Sequence, residues 1–427
     1  MARLESIVFE PQHVCVRGKQ ISYIAAVASD RIESLPQLFW ADGYPWPEAN
    51  LWLYERATNG ATTIRTVQSE ATALLHYAKW LETTDCSWTD FPQRRAHRCL
   101  VRFRGALVKA RDSGQLAPST ASGRMRTTLA FYRWAAATGL LSPTWPMWAE
   151  RVVGVRVSDA FGIERTISVA TCDLSIPNRT AAGERLEDGL LPVTAQDRDK
   201  GLALCRQVCS QELFLMLTAG FFTGMRIGSL ADLKVDTLLN AIPEPAATDF
   251  MRLAIGPGAD PPVATKFGVT GSIWIPRVLN DLLLEYAHGT RRLLRAAQAA
   301  PADRDLVFLT RYGNRYAHRS TERSPAINVQ MHAFRKTAAA HGLQAWTQFR
   351  FHQSRATFAT ELARIAIEAG GSIFALALVK EALLHRSEAT TLRYIRFVEK
   401  TPVKSRIANE FTRKFLNLVE RKIGGVR

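Results

Sequence analysis

The sequence predicts a mainly helical protein of more than one domain, with a small β-sheet in its second half. Its 427 residues are too many for one ordinary domain, and this length favours two or three. Apolar residues recur at spacings of three and four through long stretches, which is typical of amphipathic helices. Short apolar runs punctuated by glycines between residues 251 and 276 are typical of strands. With 47% hydrophobic and 22% charged residues, the chain can bury sizeable cores.

The N-terminal third divides into an extension and a basic helical domain. Residues 1–60 are mixed in character, end in an aromatic-rich stretch predicted to close with a helix, and have no role that the sequence reveals. Apolar residues on one face predict a helix from Ile64 to Leu81, and an arginine-rich helix is predicted over residues 94–111. A third helix begins after Pro118, where Ser119 is expected to cap it. Residues 61–145 are therefore predicted to form a small helical domain.

A second, larger domain is predicted after a linker. Between residues 146 and 190 the periodicity fades and Gly, Pro, Ser and Thr accumulate, which indicates a linker. Residues 191–400 follow as the second domain, in which CSQELFLMLTAGFFTG predicts a buried helix because it is apolar on all faces. The segments MRLAIG, VATKFG and SIWIP are predicted as short strands. Residues 401–427 are predicted as a tail helix with an apolar stripe.

The charge of the chain indicates a polyanionic partner. Lys and Arg number 55 against 39 Asp and Glu, for a net charge of +16. Arginines concentrate in the helical domain, where they are the tentative DNA contacts. These are Arg94, Arg95, Arg98, Arg102, Arg104, Arg124, Arg126 and Arg133.

Cysteine usage and the N-terminus bear on cofactors and compartment. The six cysteines contain no CxxC pair, so neither a zinc ribbon nor a disulfide scaffold is predicted, and a reducing cytoplasm is expected. Cys205 and Cys209 are four residues apart and are interpreted as buried thiols rather than metal ligands. Charged Arg3 and Glu5 replace the apolar run of a signal peptide, and no stretch has the length and apolarity of a membrane span.

Four separated segments of the second domain hold side chains suited to phosphodiester chemistry. Arg226 follows Gly224 at the end of the apolar helix, and its planar guanidinium matches two phosphate oxygens. Lys266 lies at a turn between predicted strands, where an ammonium can donate a proton to a leaving oxygen. The remaining residues are His352 and Arg355, three apart on one helix face, and His385 and Tyr394, nine apart. A tyrosine is a weak nucleophile unless cations stabilise its phenolate, which these residues would do.

Each of these residues alone has a commoner structural explanation, but their order is distinctive. The pattern T-G-x-R, then H-x-x-R, then H with Y nine residues on resembles the signature of the tyrosine recombinases of the phage-integrase type. LPVTAQD is similar to the opening of their catalytic domain, and LAFYRWAAATGLL to the end of their core-binding domain. The resemblance covers roughly residues 60–400. It implies a helical core-binding domain followed by a mixed α+β catalytic domain.

The resemblance also implies roles for the six residues. Arg226 and Arg355 would clamp the scissile phosphate, and Tyr394 would attack it to form a 3′-phosphotyrosine. Lys266 would protonate the leaving 5′ oxygen. His352 would handle the proton of the tyrosine, and His385 would bond a phosphate oxygen. No metal, ATP or other cofactor is expected, because fixed cations stabilise the charge and the phosphotyrosine stores the bond energy.

Three positions depart from the commonest pattern of that family. Ser229 stands three residues after Arg226, where an acid is frequent. Leu384 replaces the usual glycine before the third-box histidine. From His352 to His385 is 33 residues, more than is typical, which indicates an insertion around IEAGGSIF.

The expected partners are double-stranded DNA recombination sites and three further copies of the chain in a tetramer on synapsed DNA, with no membrane. Accessory DNA-bending proteins stay open as further partners, as does a mobile element as the source. Two alternatives remain: a type IB topoisomerase-like enzyme that relaxes DNA, and a DNA-binding accessory protein that does not cut. The absence of HExxH spacing and of a phosphate-binding glycine loop disfavours a zinc- or nucleotide-dependent enzyme.

Overall fold

The computed structural model describes residues 1–18, 20–25, 31–158, 164–178, 186, 189–317 and 324–402. The chain divides into two compact units, the first comprising residues 1–158 and 163–182 and the second residues 159–162 and 183–427. Helices predominate in both, and the sheets are small and antiparallel, as the sequence predicts. The fold class predicted from the sequence is therefore confirmed.

The first unit begins with four strands that form two pairs. The strands are β1 (Arg3–Phe9), β2 (Gln12–Arg17), β3 (Gln20–Ala25) and β4 (Ile32–Phe39). Strand β1 pairs with β4, and β2 pairs with β3, both antiparallel. Ala2 and Leu38 are buried in the same core as the helices that follow. Residues 1–60 thus belong to the body of this unit, whereas the sequence interpretation set them apart as an extension.

Four helices complete the body of the first unit. They are α1 (Pro47–Thr58), α2 (Ile64–Thr83), α3 (Cys99–Asp112) and α4 (Pro118–Ala137). Helix α2 buries the face that its spacing predicts, and the Thr63 hydroxyl accepts from the amide of Thr66 at its start. The predicted cap at Ser119 is wrong. Helix α4 starts at Pro118, whose fixed φ suits the first turn, and its N-cap residue is Ala117, with no side-chain cap.

The predicted linker contains a hairpin. Strands β5 (Glu150–Ser158) and β6 (Glu164–Cys172) pair antiparallel, and Cys172, Leu174 and Ile176 are buried in the core of the first unit. The signal was present in RVVGVRVS and RTISVATC, where β-branched residues alternate. The many glycines and polar residues nearby obscured it.

The second unit is built around one apolar helix. Its helices and strands are α5 (Ala195–Val208), α6 (Gln211–Thr223), α7 (Ile227–Ala231), α8 (Val235–Leu239), β7 (Ile242–Glu244), β8 (Ala247–Ile255), β9 (Gly271–Pro276), α9 (Arg277–His288), α10 (Thr290–Gln298), α11 (Pro325–Ala340), α12 (Gln344–Thr347), α13 (Gln353–Ala382) and α14 (residues 388–402). Helix α6 contacts both α13 and β9. Its all-round apolar surface is buried, as predicted.

The small sheet of the second unit has the order β7-β8-β9. Strands β8 and β9 confirm the predictions for MRLAIG and SIWIP. The prediction of a third strand over VATKFG is wrong, because residues 266–268 form a single helical turn in which Phe267 has φ +64°. That segment is the connection between β8 and β9.

Helix α13 is interrupted at Gly371, where φ is +76° and ψ is 177°. This break falls in the segment that the sequence identifies as an insertion. By length and composition alone α13 could cross a membrane, with a mean hydropathy of 1.7, which is weak evidence. Ala356, Ala359 and Ala363 instead pack in a buried cluster with Tyr394. Of the predicted tail helix, residues 403–427 lie outside the described residues.

Candidate active site

Three of the predicted cations line one pocket in the second unit. The pocket lies where the end of α6, the β8–β9 connection and the turn after α13 meet, and Arg226, Lys266 and Arg355 all contribute to its wall. The other described lining residues are Thr223, Gly224, Met225, Ser229, Ile255, Thr265, Val269, Ile273, Ala382, Leu383 and Leu384. None of these described lining residues is acidic. The pocket is therefore suited to an anion.

Arg226 is brought to the pocket by the end of α6. Gly224 ends this helix in the left-handed conformation, with φ +66°. A Cβ at this position would lie 2.6 Å from Leu383 Cδ2 and from Phe358 Cδ1, so glycine is required by packing as well as by backbone conformation. The chain then extends through Arg226, which is half-buried. Ser229, at the position where the resemblance leads one to expect an acid, is buried in the pocket wall.

Arg355 is buried in the first turn of α13, with 3% of its surface exposed. Its Nη1 donates to the carbonyl of Gly224 at 2.7 Å, and its Nη2 donates to the carbonyl of Leu383 at 2.8 Å. These bonds join the end of α6 to the turn that precedes His385. The guanidinium therefore both charges the pocket and holds two of its walls together.

Lys266 lies in the β8–β9 connection, which is held from two sides. Across the turn, the Thr265 hydroxyl donates to the carbonyl of Val269 at 2.6 Å. Two residues before Lys266, the amide of Ala264 donates to Asp232 Oδ2 at 2.8 Å. Asp232 is buried. The sequence interpretation missed this role because the contact spans 32 residues and leaves no local signal.

His385 and Tyr394 form a stacked pair beside the pocket. Their ring centroids are 5.9 Å apart with an interplanar angle of 14°. His385 Nδ1 is 3.0 Å from the Thr391 hydroxyl, and Tyr394 is fully buried, with 0% exposure. His385 directly follows the lining residue Leu384, which has φ +50°. A left-handed residue at this point agrees with the glycine that is usual in the family pattern.

The remaining predicted residue, His352, immediately precedes α13. It is half-buried and lies three residues before Arg355. The described lining residues of the pocket include neither His352 nor His385 nor Tyr394. The structure thus gathers the three cations into one pocket, places the His385–Tyr394 pair after its rim, and puts His352 one helical turn from Arg355.

The arginines predicted to contact DNA differ in their surroundings. Arg98 is buried, with its guanidinium donating to the carbonyls of Pro92, Gln93 and Pro146, so its role there is structural. Two others are engaged but exposed: Arg95 pairs with Asp173, and Arg133 lies 3.8 Å from Glu150. Arg94, Arg102 and Arg126 are exposed, and Arg104 and Arg124 are half-buried.

Neither metal nor disulfide chemistry is indicated within the described part of the chain. No group of three or more His, Cys, Asp or Glu side chains there could hold a metal ion. All six cysteines are free thiols. Burial raises the pKa of Cys86 to about 11, helped by its hydrogen bond to Asp90, which keeps this thiol protonated.

Comparison with known proteins gives matches only among solved structures. No protein-family model matches the chain, and no curated protein does so significantly. The fold is similar to that of the Tn1549 transposon integrase in complex with circular intermediate DNA, at 14% identity and a TM-score of 0.46, covering 81% of this chain and 94% of that one. It is also similar to a lambda integrase dimer bound to a COC′ core site, at 14% identity and a TM-score of 0.47, covering 82% and 76%.

A lambda integrase tetramer bound to a Holliday junction is a third similar structure, at 13% identity and a TM-score of 0.46, covering 82% of this chain and 76% of that one. These similarities concern the fold alone. The matching structures are of integrases, the class of protein that the sequence boxes resemble.

Proposed function

We propose that this protein is a site-specific DNA recombinase that cuts and rejoins DNA through a covalent bond to Tyr394. The observation that carries the proposal is the convergence of Arg226, Lys266 and Arg355, from three distant segments, on one pocket next to the His385–Tyr394 pair. A phosphodiester group fits such a pocket because its developing negative charge would meet fixed cations. The order of these residues along the chain matches the pattern that suggested the function.

The reaction is a transesterification at phosphorus. The Oη of Tyr394 forms a bond to the scissile phosphorus, the bond from phosphorus to the 5′ oxygen breaks, and Lys266 gives a proton to that oxygen. His352 accepts the tyrosine proton, and His385 donates to a phosphate oxygen. Arg226 and Arg355 stabilise the charge that develops in the transition state. Attack by a 5′ hydroxyl of another strand reverses the steps and reseals the DNA without ATP.

The burial of Tyr394 adds a condition to this mechanism. With 0% exposure and a ring stacked on His385, the tyrosine reaches a phosphate only after α14 or the turn before it moves. DNA binding or contact with another protomer would supply the free energy for that movement. We therefore propose that the free protein is held in a state that does not cut.

Double-stranded DNA recombination sites are the proposed partner. The net charge of +16 and the exposed arginines of the first unit supply the non-specific attraction. The similar integrase structures hold DNA, and one is a tetramer on a Holliday junction. We extend this to a homotetramer of the present chain on synapsed DNA, acting in the cytoplasm and carried by a mobile element.

Trapping of the covalent intermediate tests the proposal. Duplexes that the protein selects from a random pool, or paired inverted half-sites found beside its gene, would be nicked near the cleavage position so that the cut strand diffuses away. The wild-type protein should accumulate a covalent adduct, and Tyr394→Phe should bind the same DNA without forming one. The matched control Tyr312→Phe changes an exposed tyrosine and should react like the wild type.

Two results would count against the proposal. An adduct that persists in Tyr394→Phe would remove Tyr394 as nucleophile, and a wild-type protein that binds tightly but never reacts would favour a non-cutting DNA-binding protein. Relaxation of a supercoiled plasmid that lacks any selected site would favour the topoisomerase alternative.

A further inference from the structure

Phe267, next to Lys266, is in an unfavourable state for an aromatic residue in two respects. Its side chain is 70% exposed, and its backbone has φ +64° and ψ 15°, the left-handed region in which side chains are disfavoured. Among the described residues that are not glycine, Asp85, Phe267 and Leu384 have positive φ, and the last two flank the candidate active site. Strain of this kind persists where the surrounding structure maintains it, and it concentrates at functional sites.

The surrounding turn holds Phe267 in this position. The amide of Gly268 donates to the carbonyl of Thr265 at 3.2 Å, and the Thr265 hydroxyl donates to the carbonyl of Val269 at 2.6 Å. Gly268 is also left-handed, with φ +64°. The chain thus uses glycine at the second of two adjacent left-handed positions and a large aromatic at the first. Packing does not explain that choice, because most of the ring faces solvent.

The ring is close to the charge that would act on the DNA. Lys266 Nζ lies 5.5 Å from the centroid of the Phe267 ring. Lys266 lines the pocket, so a nucleic-acid strand whose phosphate reaches that pocket would bring a neighbouring sugar or base near the ring. Exposed aromatic side chains contribute to DNA binding by stacking on bases or by inserting between them.

We infer that Phe267 is a DNA-contacting residue, whose ring packs against the sugar or base that adjoins the scissile phosphate and so helps to position that phosphate beside Lys266. This inference rests on the proposed strand-transfer function. It adds an apolar contact at the cleavage position, on the connection that carries the general acid. The strained backbone is then explained as the means of presenting the ring to the duplex.

Two variants and a matched control test this inference on the selected duplexes. Phe267→Gly removes the ring and relieves the left-handed strain, and Phe267→Trp keeps a ring. Tyr312→Gly is the control, because Tyr312 is 64% exposed and also lies beside a cation, with Arg311 Cζ 4.6 Å from its centroid, but it does not line the pocket. The measurements are the dissociation constant at several salt concentrations, the rate of adduct formation and the melting temperature.

Phe267→Gly should weaken DNA binding, adduct formation or both by on the order of 10-fold, the loss expected for one stacked or inserted ring. Its melting temperature should be unchanged or higher, because glycine relieves the strain. The slope of log affinity against log salt should stay at the wild-type value, because no phosphate contact is lost. Phe267→Trp should retain activity and change its fluorescence when DNA is added, and Tyr312→Gly should behave like the wild type.

Wild-type binding and cleavage by Phe267→Gly, together with a lower melting temperature, would overturn the inference and make the ring a structural cap of the turn. An equal loss in Tyr312→Gly would also overturn it. If the wild-type protein forms no adduct while DNA still changes the fluorescence of Phe267→Trp and Phe267→Gly binds weakly, the strand-transfer proposal fails and the DNA contact stands.

Discussion

At position 355 a guanidinium is required by structure as well as by charge. Arg355 donates to carbonyls on two segments, at 2.7 and 2.8 Å, and is 3% exposed. A lysine has a single nitrogen and cannot reproduce this fork. We expect Arg355→Lys to lose cleavage and to lower stability by about 1–3 kcal/mol, because a buried carbonyl is left without its donor.

Arg226→Ala should differ from Arg355→Lys in stability. It should slow adduct formation by ~10²–10³-fold, the usual loss for one donor to a developing charge, while DNA affinity falls little because many other contacts remain. Thermal melting and single-turnover cleavage of both variants would check this. If Arg226→Ala mainly weakened binding and left the cleavage rate intact, Arg226 would be a general DNA contact.

Leu384 presents a second residue-scale case of strain beside the site. Its φ is +50°, and its Cδ2 occupies the space where a Cβ at Gly271 would come within 2.5 Å. Replacing it with glycine relieves the backbone, worth about 1–2 kcal/mol, but removes the packing between the His385 turn and β9. We expect Leu384→Gly to change stability by less than about 1 kcal/mol while slowing adduct formation, since His385 is less firmly placed.

Asp85→Gly is the matched control for Leu384→Gly, because Asp85 also has positive φ, at +46°, but lies in the first unit. Its melting temperature should change little and its cleavage rate not at all. Denaturant titration and adduct kinetics measure both variants. An unaltered cleavage rate in Leu384→Gly would show that the leucine does not position His385.

The sequence identifies the cations of the site but not their conformations. Arg226, Lys266 and Arg355 follow from their order in the chain, and the structure brings them to one pocket. The left-handed Phe267 could not be predicted, because that conformation normally signals glycine. Arg98 was misjudged for a related reason: its three carbonyl partners include Pro146, 48 residues away.

At the scale of elements, a buried carboxylate anchors the central helix α6. Glu212, in its first turn, is 0% exposed and accepts hydrogen bonds from Arg291 Nε at 2.7 Å and from the Tyr286 hydroxyl at 3.0 Å, with Arg295 Nη1 at 2.8 Å. Burial alone would raise the pKa of Glu212, but the bond from Arg291 and the charge of Arg295 hold it below its ordinary value. The same carboxylate, together with burial, raises the pKa of Tyr286.

The lowered pKa of Glu212 makes part of the stability dependent on pH. Its contribution is present above the pKa of the unfolded chain and is lost as the pH falls through the lower, folded-state value. Glu212→Gln should therefore cost roughly 2–3 kcal/mol at neutral pH and should reduce the loss of stability on acidification. Denaturant melts between pH 3 and pH 7, set as roughly the range in which carboxylates titrate, would measure this.

The exposed Glu285 provides the control, since Glu285→Gln should leave both stability and its pH dependence near the wild type. If Glu212→Gln melted like the wild type at neutral pH, the ion pairs around α6 would contribute nothing net.

Elements were predictable where a single period governs a long segment. The spacing in Ile64–Thr83 and the uniform apolarity of α6 were sufficient. The β5–β6 hairpin and the turn at residues 266–268 were not foreseen, because short elements carry few residues on which a period can be recognised.

At the scale of the whole molecule, domain limits depend on contacts that sequence does not reveal. The first 60 residues and the segment after the β5–β6 hairpin both enter the core of the first unit. Ala2, for example, donates its amide to Glu82, 80 residues away. Composition distinguished these segments from the helices between them, but burial depends on which surfaces meet.

Assembly on DNA is the property for which the sequence of the tail matters most. In residues 403–427, which lie outside the described residues, Ile407, Phe411, Phe415 and Leu418 recur at helical spacing. Such a stripe needs apolar cover, either from its own catalytic domain or from a neighbouring protomer. The resemblance to tyrosine recombinases favours the neighbour. Because Tyr394 is buried and only about ten residues separate it from the stripe, a tail held by another protomer could shift α14 and release the tyrosine.

We therefore expect removal of residues 405–427 to leave binding to one half-site within about 3-fold of the wild type, since the cationic surfaces remain. Cooperative binding to two half-sites and recombination should fall by more than about 10-fold, because the contact between protomers is lost. Gel-shift titrations on one and two half-sites measure this, with circular dichroism to show that the truncated protein is folded. The quadruple change of Ile407, Phe411, Phe415 and Leu418 to Ser keeps the length and should act like the deletion. Undiminished cooperativity in a folded truncated protein would rule out exchange of the tail between protomers and favour its docking on its own domain.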